Sequence, residues 1–357
     1  MSEDTLSSIL GHLEKLVAFD SQNPPRDLTG DSEMFAYLTS QLPGFEIDIT
    51  DHGDGHVSFL ARRGNPRLLF NVHMDTVPVG NGWTKPPLEL TVEDGRAYGR
   101  GTCDIKGAAA CLLTLAADTD APMAMLFTTD EEGAGGCCVE RFCESLEPGT
   151  YDLVAVAEPT QCRAVTAHRG YLSVIGEFTG VAGHSSEARG LEENALHRFT
   201  RWAAAALEMV EQQGGEARFN LGTVNGGIKS NVIADKVSVA WSARLPPGTD
   251  TQAFFDQVTT VAELDNARWT VPFMGPTLPA ADHDNGAADQ VIDQLGLPHG
   301  DPVDFWTEAS LFSGAGLTTF VLGPGDIAQA HAKDEWVALD QLTQACDLYR
   351  KLVNHYG

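Results

Sequence analysis

The sequence predicts an α/β protein: a domain built on a mostly parallel sheet, interrupted by a smaller α+β domain. Three observations carry that expectation. Short apolar runs at 67–73, 123–129, 152–157 and 317–322 alternate with helical patterns, as strands joined by crossover helices do. The alternation lapses between about residues 170 and 275, where strand-like stretches flank helical ones. The length, 357 residues with 43% hydrophobic side chains, suits roughly two domains.

Taken in order, Leu6, Ile9, Leu10, Leu13, Leu16 and Val17 recur on one helical face, and Asn23-Pro24-Pro25 stops that helix. The run at 67–73 is wholly apolar until its end. Residues 106–117 are alanine-rich and apolar, a helix expected to be buried. In the middle, 171–178 and 236–244 read as strands, and 192–210 and 251–264 as helices. The α/β pattern resumes after about Pro276. The expected domains are therefore 1–169 with 276–357, and 170–275.

Composition narrows the function. Fifty acidic against 23 basic residues give a net charge of -27, hostile to nucleic acid and to anionic membranes. Neither an N-terminal signal region nor a stretch of about 18 apolar residues is present, so a cytoplasmic protein is expected. Seven cysteines without CxxC spacing argue for inert thiols rather than disulfides or a cysteine zinc site.

The chemistry collects at strand ends. NVHMDTVP, Asn71 to Pro78, places His73 and Asp75 two residues apart, on the same side of a strand that has just left the core. Asp104 precedes the alanine-rich helix in GRGTCDIKG. Glu131 and Glu132 end MAMLFTTDEEG, Glu158 ends YDLVAVAEPT, and His331 follows the last strand. Singly each has an ordinary reading: Asp104 as a helix N-cap, Glu131-Glu132 as a solvated turn. His52-Gly53-Asp54 repeats the H-x-D spacing in a glycine-rich turn and reads as surface loop. Together, carboxylates gathered at a core rim repel one another unless a cation neutralises them. Two imidazoles and several carboxylates suit one or two divalent ions, and zinc, cobalt and manganese all fit these donors. On the two-ion reading His73 and His331 cap one ion each, Asp104 bridges, and Glu132 and Glu158 complete the spheres. Asp75 orients His73 through its second ring nitrogen. Glu131 is left as the general base.

These motifs together resemble the co-catalytic zinc aminoacylase and carboxypeptidase family. Its members include N-acetylornithine deacetylase, succinyl-diaminopimelate desuccinylase and glutamate carboxypeptidase. The resemblance covers nearly the whole chain and implies a catalytic α/β domain interrupted by a lid, matching 170–275, that also dimerises, and hence a homodimer. Within GVAGHSS it implies that His184 reaches across the dimer to stabilise an oxyanion. Within GTVNGGIKSNVIADKVSVAWSAR it implies that Asn231 and Arg244 bind a substrate α-carboxylate, the arginine by a forked charge pair. Ser242 departs from the family, whose members often carry an acid there. Gly226-Gly227 suit close backbone approach or lid flexing. VDFWTEASLFSGAG and GPGDIAQAHAKDEWV are most similar to the branch that deacetylates N-acetylcitrulline or N-acetylornithine in arginine biosynthesis. There Glu308 either contacts the distal end of the substrate or is a helix N-terminal acid. Dipeptidase, carboxypeptidase and desuccinylase activities are alternatives within the same chemistry. A non-catalytic metal-binding relative is the alternative from another class.

Overall fold

In the computed structural model of the protein, residues 3–133, 136–262 and 266–356 are described. They form two compact units. One comprises Met1–Ala167, His283–Pro302 and Thr307–Gly357, and the other His168–Asp282 and Val303–Trp306.

The first unit is built on a six-stranded sheet. Its spatial order is Glu46–Asp51, Val57–Arg63, Met123–Thr128, Leu68–His73, Leu153–Val156, Thr319–Val321. The last four in that order are parallel, and the first two add antiparallel at one edge. The parallel strands are buried along their whole length, which is why they read as continuous apolar runs rather than alternating ones. Helices Glu3–Ala18, Lys106–Asp118 and Leu339–Tyr356 pack on one another and shield them. The Lys106–Asp118 helix is buried from Lys106 to Ala116. Its alanines allow both neighbouring helices to approach closely. On the first helix Ile9, Leu13, Leu16 and Val17 are the fully buried positions. A small sheet of Thr91–Glu93, Arg96–Tyr98 and Trp336–Ala338 has strands too short to show any periodicity, and the sequence pattern gave no sign of it.

The second unit is a four-stranded antiparallel sheet in the order Arg218–Gly226, Lys236–Leu245, Gly170–Thr179, Ala267–Gly275. Burial alternates strictly along Lys236–Leu245, so one face is covered, here by the helices Ala195–Gln212 and Thr251–Thr260. Phe178, Trp202, Val239 and Trp241 form the centre of its core.

Two helices differ from expectation. The pattern at 192–210 is two pieces, Gly190–Glu193 and Ala195–Gln212. Asn194 is extended between them, its side chain accepting the Leu196 N–H, an N-cap that apolar spacing does not reveal. The helix expected over 251–264 ends at Thr260, and 263–265 lie outside the described residues. The second unit also extends past residue 275, because the His168 and Leu278 backbones bond reciprocally at 2.9 and 3.1 Å. Residues 303–306 rejoin it, with Trp306 edge-on to Phe273.

Candidate metal centre

Register brings the strand-end groups together. His73 lies level with Thr128 on one neighbouring strand, and Asn71 lies level with Val156 on the other. The chain segments leaving these strands, Asp130–Glu132 and Ala157–Glu158, therefore flank His73 at the carboxyl edge of the sheet, where parallel α/β sheets place their sites. Asp104 sits at the same edge ahead of its helix, joined to Ile105 by a cis peptide bond.

Asp104 is the hub. Its Oδ1 lies 3.1 Å from His73 Nε2, and its Oδ2 lies 3.2 Å from His331 Nε2. Glu158 Oε1 is 3.7 Å from His73 Nε2, and Glu132 Oε1 is 3.1 Å from His331 Nε2. The ligand atoms thus fall into two trios, His73–Asp104–Glu158 and Asp104–Glu132–His331, each within 4.8 Å and sharing Asp104. Glu131 joins His73 and Glu132 in a third such group. Asp104 does not cap the following helix; Ile105 holds that position and no side chain bonds there.

The electrostatics are those of anions crowded away from water. Burial pushes the Glu131 and Glu158 carboxyls well above the usual range, and burial together with Asp104 raises Glu132. Burial opposes the charge on His73, but bonds to Asp104 and Asp75 outweigh it and hold this imidazole well above its ordinary value. Bonds to Asp104 and Glu132 raise His331 to about 10. Protons on the imidazoles thus balance the carboxylates. A divalent cation would do so better, and the donors, imidazole nitrogen and carboxylate oxygen without sulfur, fit zinc, cobalt or manganese.

Asp75 lies against the second ring nitrogen of His73 with both its carbonyl and its carboxylate. The acceptor nearest His73 Nδ1 is the main-chain carbonyl of Asp75 at 3.0 Å, with the carboxylate Oδ1 farther off at 3.4 Å. The carboxylate also accepts from the backbone N–H groups of Glu131 and Glu132, at 3.3 and 3.0 Å, and from Asn23 Nδ2 at 2.8 Å. It pins the turn that presents both glutamates.

The other expected groups are placed as follows. Glu308 is buried and accepts from Thr128 Oγ1 at 3.1 Å. It stands at the N-cap position of the short helix Ala309–Gly314 without capping it. Burial, with Asp130 adding to it, raises its carboxyl to about 8. In the second unit His184 is exposed, its Nδ1 2.7 Å from Ser186 Oγ. Its short strand pairs with Val232–Ile233, and Ser185 N donates to Asn231 O, so His184 and Asn231 are neighbours. Arg244 is half-buried over the Tyr171 ring, 3.7 Å from its centroid, and has no ion-pair partner among the described residues. Ser242 lies opposite Ser173 and Asn220. A Cβ on Gly226 would meet Val237, and Gly227 has a φ of +71°, so both positions require glycine.

Residues 69–355 match peptidase family M20/M25/M40. The chain belongs to this family. An N-acetyl-L-citrulline deacetylase of Xanthomonas campestris pv. campestris is 45% identical, over 98% of this chain and 99% of that protein. Acetylornithine deacetylases of Yersinia pseudotuberculosis and Edwardsiella ictaluri are 31% and 30% identical, over 87% and 81% of this chain and 82% and 80% of theirs. Among solved structures, the M20 family metallo-carboxypeptidase Sso-CP2 from Sulfolobus solfataricus aligns with a TM-score of 0.73 at 14% identity, over 100% of this chain and 99% of that one. Aminopeptidase PepT from Bacillus cereus aligns at 0.71 and 20%, over 98% of both. At such identities the likeness is one of fold.

In this M20 chain, sequence reasoning missed two buried carboxylates that hold backbone around the candidate ligands. Glu335 is fully buried beside Arg100. Its carboxylate accepts from the N–H groups of Gly101, Cys103 and Asp104, at 3.0, 2.9 and 3.0 Å. Asp130 Oδ2 accepts from the Cys137 and Cys138 N–H groups at 2.6 and 3.0 Å and lies 2.7 Å from His56 Nδ1. The acid pair Asp334-Glu335 directly before an apolar strand was the available signal for the first. Nothing in spacing marked the second. His56, Asp130 and Cys138 also cluster at ligand distance. However, the Arg26 guanidinium lies against Nε2 of His56, so this cluster already holds a cation. His52-Gly53-Asp54 lies in the turn before His56, as the sequence suggested. All seven cysteines are free.

Proposed function

We propose that the protein is a di-metal amidohydrolase that removes the acetyl group from N-acetyl-L-citrulline. The observation that carries the reaction class is the pair of ligand trios sharing Asp104, with Glu131 beside them and outside both. Identity favours the substrate, at 45% to the acetylcitrulline enzyme against 30–31% to the acetylornithine enzymes. Ions held by His73, Asp104, Glu158, Glu132 and His331, zinc first, would supply Lewis acidity to the acetyl carbonyl and acidify water.

The chain's own residues do the rest. Glu131 takes a proton from the attacking water and delivers it to the departing nitrogen. A carbon–oxygen bond forms, the carbon–nitrogen bond breaks, and acetate and a free α-amine leave. Asp75 holds the turn bearing Glu131. Asn231 and Arg244 receive the substrate α-carboxylate, and His184, donated between protomers of a homodimer, stabilises the oxyanion. Glu308 is assigned to the distal, neutral end of the substrate. No helix among the described residues is long and apolar enough to cross a membrane, and a cytoplasmic location suits the reaction.

The test is acetate release by the metal-loaded protein from N-acetyl-L-citrulline and N-acetyl-L-ornithine side by side. A kcat/KM preference of at least ~10-fold for the citrulline substrate, ~1.4 kcal/mol of discrimination, is expected. The reverse preference overturns the substrate. No release from either overturns the deacetylase reading and directs the assay to dipeptides and other acyl groups.

A further inference from the structure

We infer that Glu335 is a positioning residue that registers His331 against Asp104, and so decides whether the ion held by Asp104, Glu132 and His331 is retained. The inference rests on the two-ion reading above and divides the two ions by what supports each.

His73 stands at the end of a strand bonded on both sides, and Glu158 follows another strand of the same sheet. His331 has no such support. It lies in a loop with a φ of +59°, and its side chain is 54% exposed. Four residues on, the same segment reaches the Asp104 loop and grips it. Trp336–Ala338 pairs with Arg96–Tyr98, the Gly99 N–H donates to the Glu335 carbonyl at 3.0 Å, and the Glu335 carboxylate then gathers the amides of Gly101, Cys103 and Asp104. One carboxylate thereby fixes the backbone of the bridging ligand from the segment that carries the exposed one. Asp334 anchors the same segment to a second place, accepting from Thr84 N and Lys85 N at 2.7 and 3.2 Å. A buried carboxylate needs donors for its remaining lone pairs, and Glu335 takes them from the amides leading into Asp104.

The experiment compares wild type, Glu335→Gln and the double variant Arg100→Met/Glu335→Gln. The double variant removes the cation that the single one leaves buried and unpaired, and replacing both partners of a buried pair by uncharged groups is far milder than breaking it. Bound zinc per chain, zinc affinity by chelator competition, and the melting temperature of the metal-stripped protein are measured. The expectation is two ions in wild type. In the variants, the ion that depends on His331 is weakened by ~10–100-fold, the usual effect of losing a group that orients a ligand, and the other, which shares only Asp104 with it, is weakened less. Two ions at wild-type affinity in either folded variant overturn the inference alone. Equal weakening of both ions, or failure of both variants to fold, assigns Glu335 to the fold and also overturns it. Fewer than two ions in wild type overturns the two-ion reading, and this inference with it.

Discussion

Glu131 and Glu132 are adjacent in sequence and opposite in assignment. Glu132 lies against His331, whereas Glu131 lies outside the two trios that share Asp104. Glu131→Ala is accordingly expected to keep bound metal while losing at least ~10²-fold in turnover; parallel metal analysis and steady-state assays check it, and unchanged turnover would remove the base assignment. Glu308 gives a pH signature. Its folded-state value of about 8 exceeds the ordinary 4.5, so the fold retains a proton that the unfolded chain releases. The stability this contributes is present below about 4.5 and is lost as pH rises toward about 8. Glu308→Gln, which cannot ionise, should raise the melting temperature at pH 8 and leave it near wild type at pH 4.5. Melts across that range decide it, and parallel curves would refute the buried-acid account. At this scale the groups aimed at the site were legible, because an ionisable side chain at the end of an apolar run is costly without a purpose. Glu335 and Asp130 were not. Their work is to accept main-chain N–H groups, and every residue but proline carries one, so no spacing betrays it.

Elements were legible in proportion to length and burial. The parallel strands announced themselves as apolar runs, and the Lys106–Asp118 helix by its alanines. The three-residue strands beside Trp336–Ala338 carry too few positions for a period to show, yet they bring Glu335 to the Asp104 loop. The edge strand Arg218–Gly226 is largely exposed and lacks the apolar pattern that marks its neighbour Lys236–Leu245. The break at Asn194 illustrates a local choice overriding a periodic one: apolar spacing runs through it, but the amide side chain offers the Leu196 N–H a partner. Asn194→Ala should cost about 1 kcal/mol of stability. A chemical-denaturation midpoint that does not move would show that the cap contributes nothing.

For the whole molecule, the acidic balance and the interrupted sheet were both visible in composition. The boundaries were not, since residues 303–306 join the second unit through a Val303 bridge to His168, the ion pairs of Asp304 with Arg169 and Arg218, and the Trp306–Phe273 contact, none of which composition marks. The metal-free state makes a further prediction. With His331 raised to about 10, ion uptake near neutrality must displace its proton. Affinity should therefore climb with pH, and the heat of zinc binding should depend on the ionisation enthalpy of the buffer. Calorimetry in two buffers of equal pH but different ionisation enthalpy tests this, and equal heats would contradict it.

The chain order of the first unit has a consequence during synthesis. His73, Asp104, Glu132 and Glu158 leave the ribosome before the whole second unit, while the last sheet strand, His331 and Glu335 follow it. At ribosomal speeds of ~5–20 residues per second, the gap lasts on the order of ten seconds or more. Throughout it the nascent chain carries an unfinished centre, short of one imidazole and of the carboxylate that steadies Asp104. A prematurely terminated chain therefore ends as an inert fragment rather than an unguarded hydrolase.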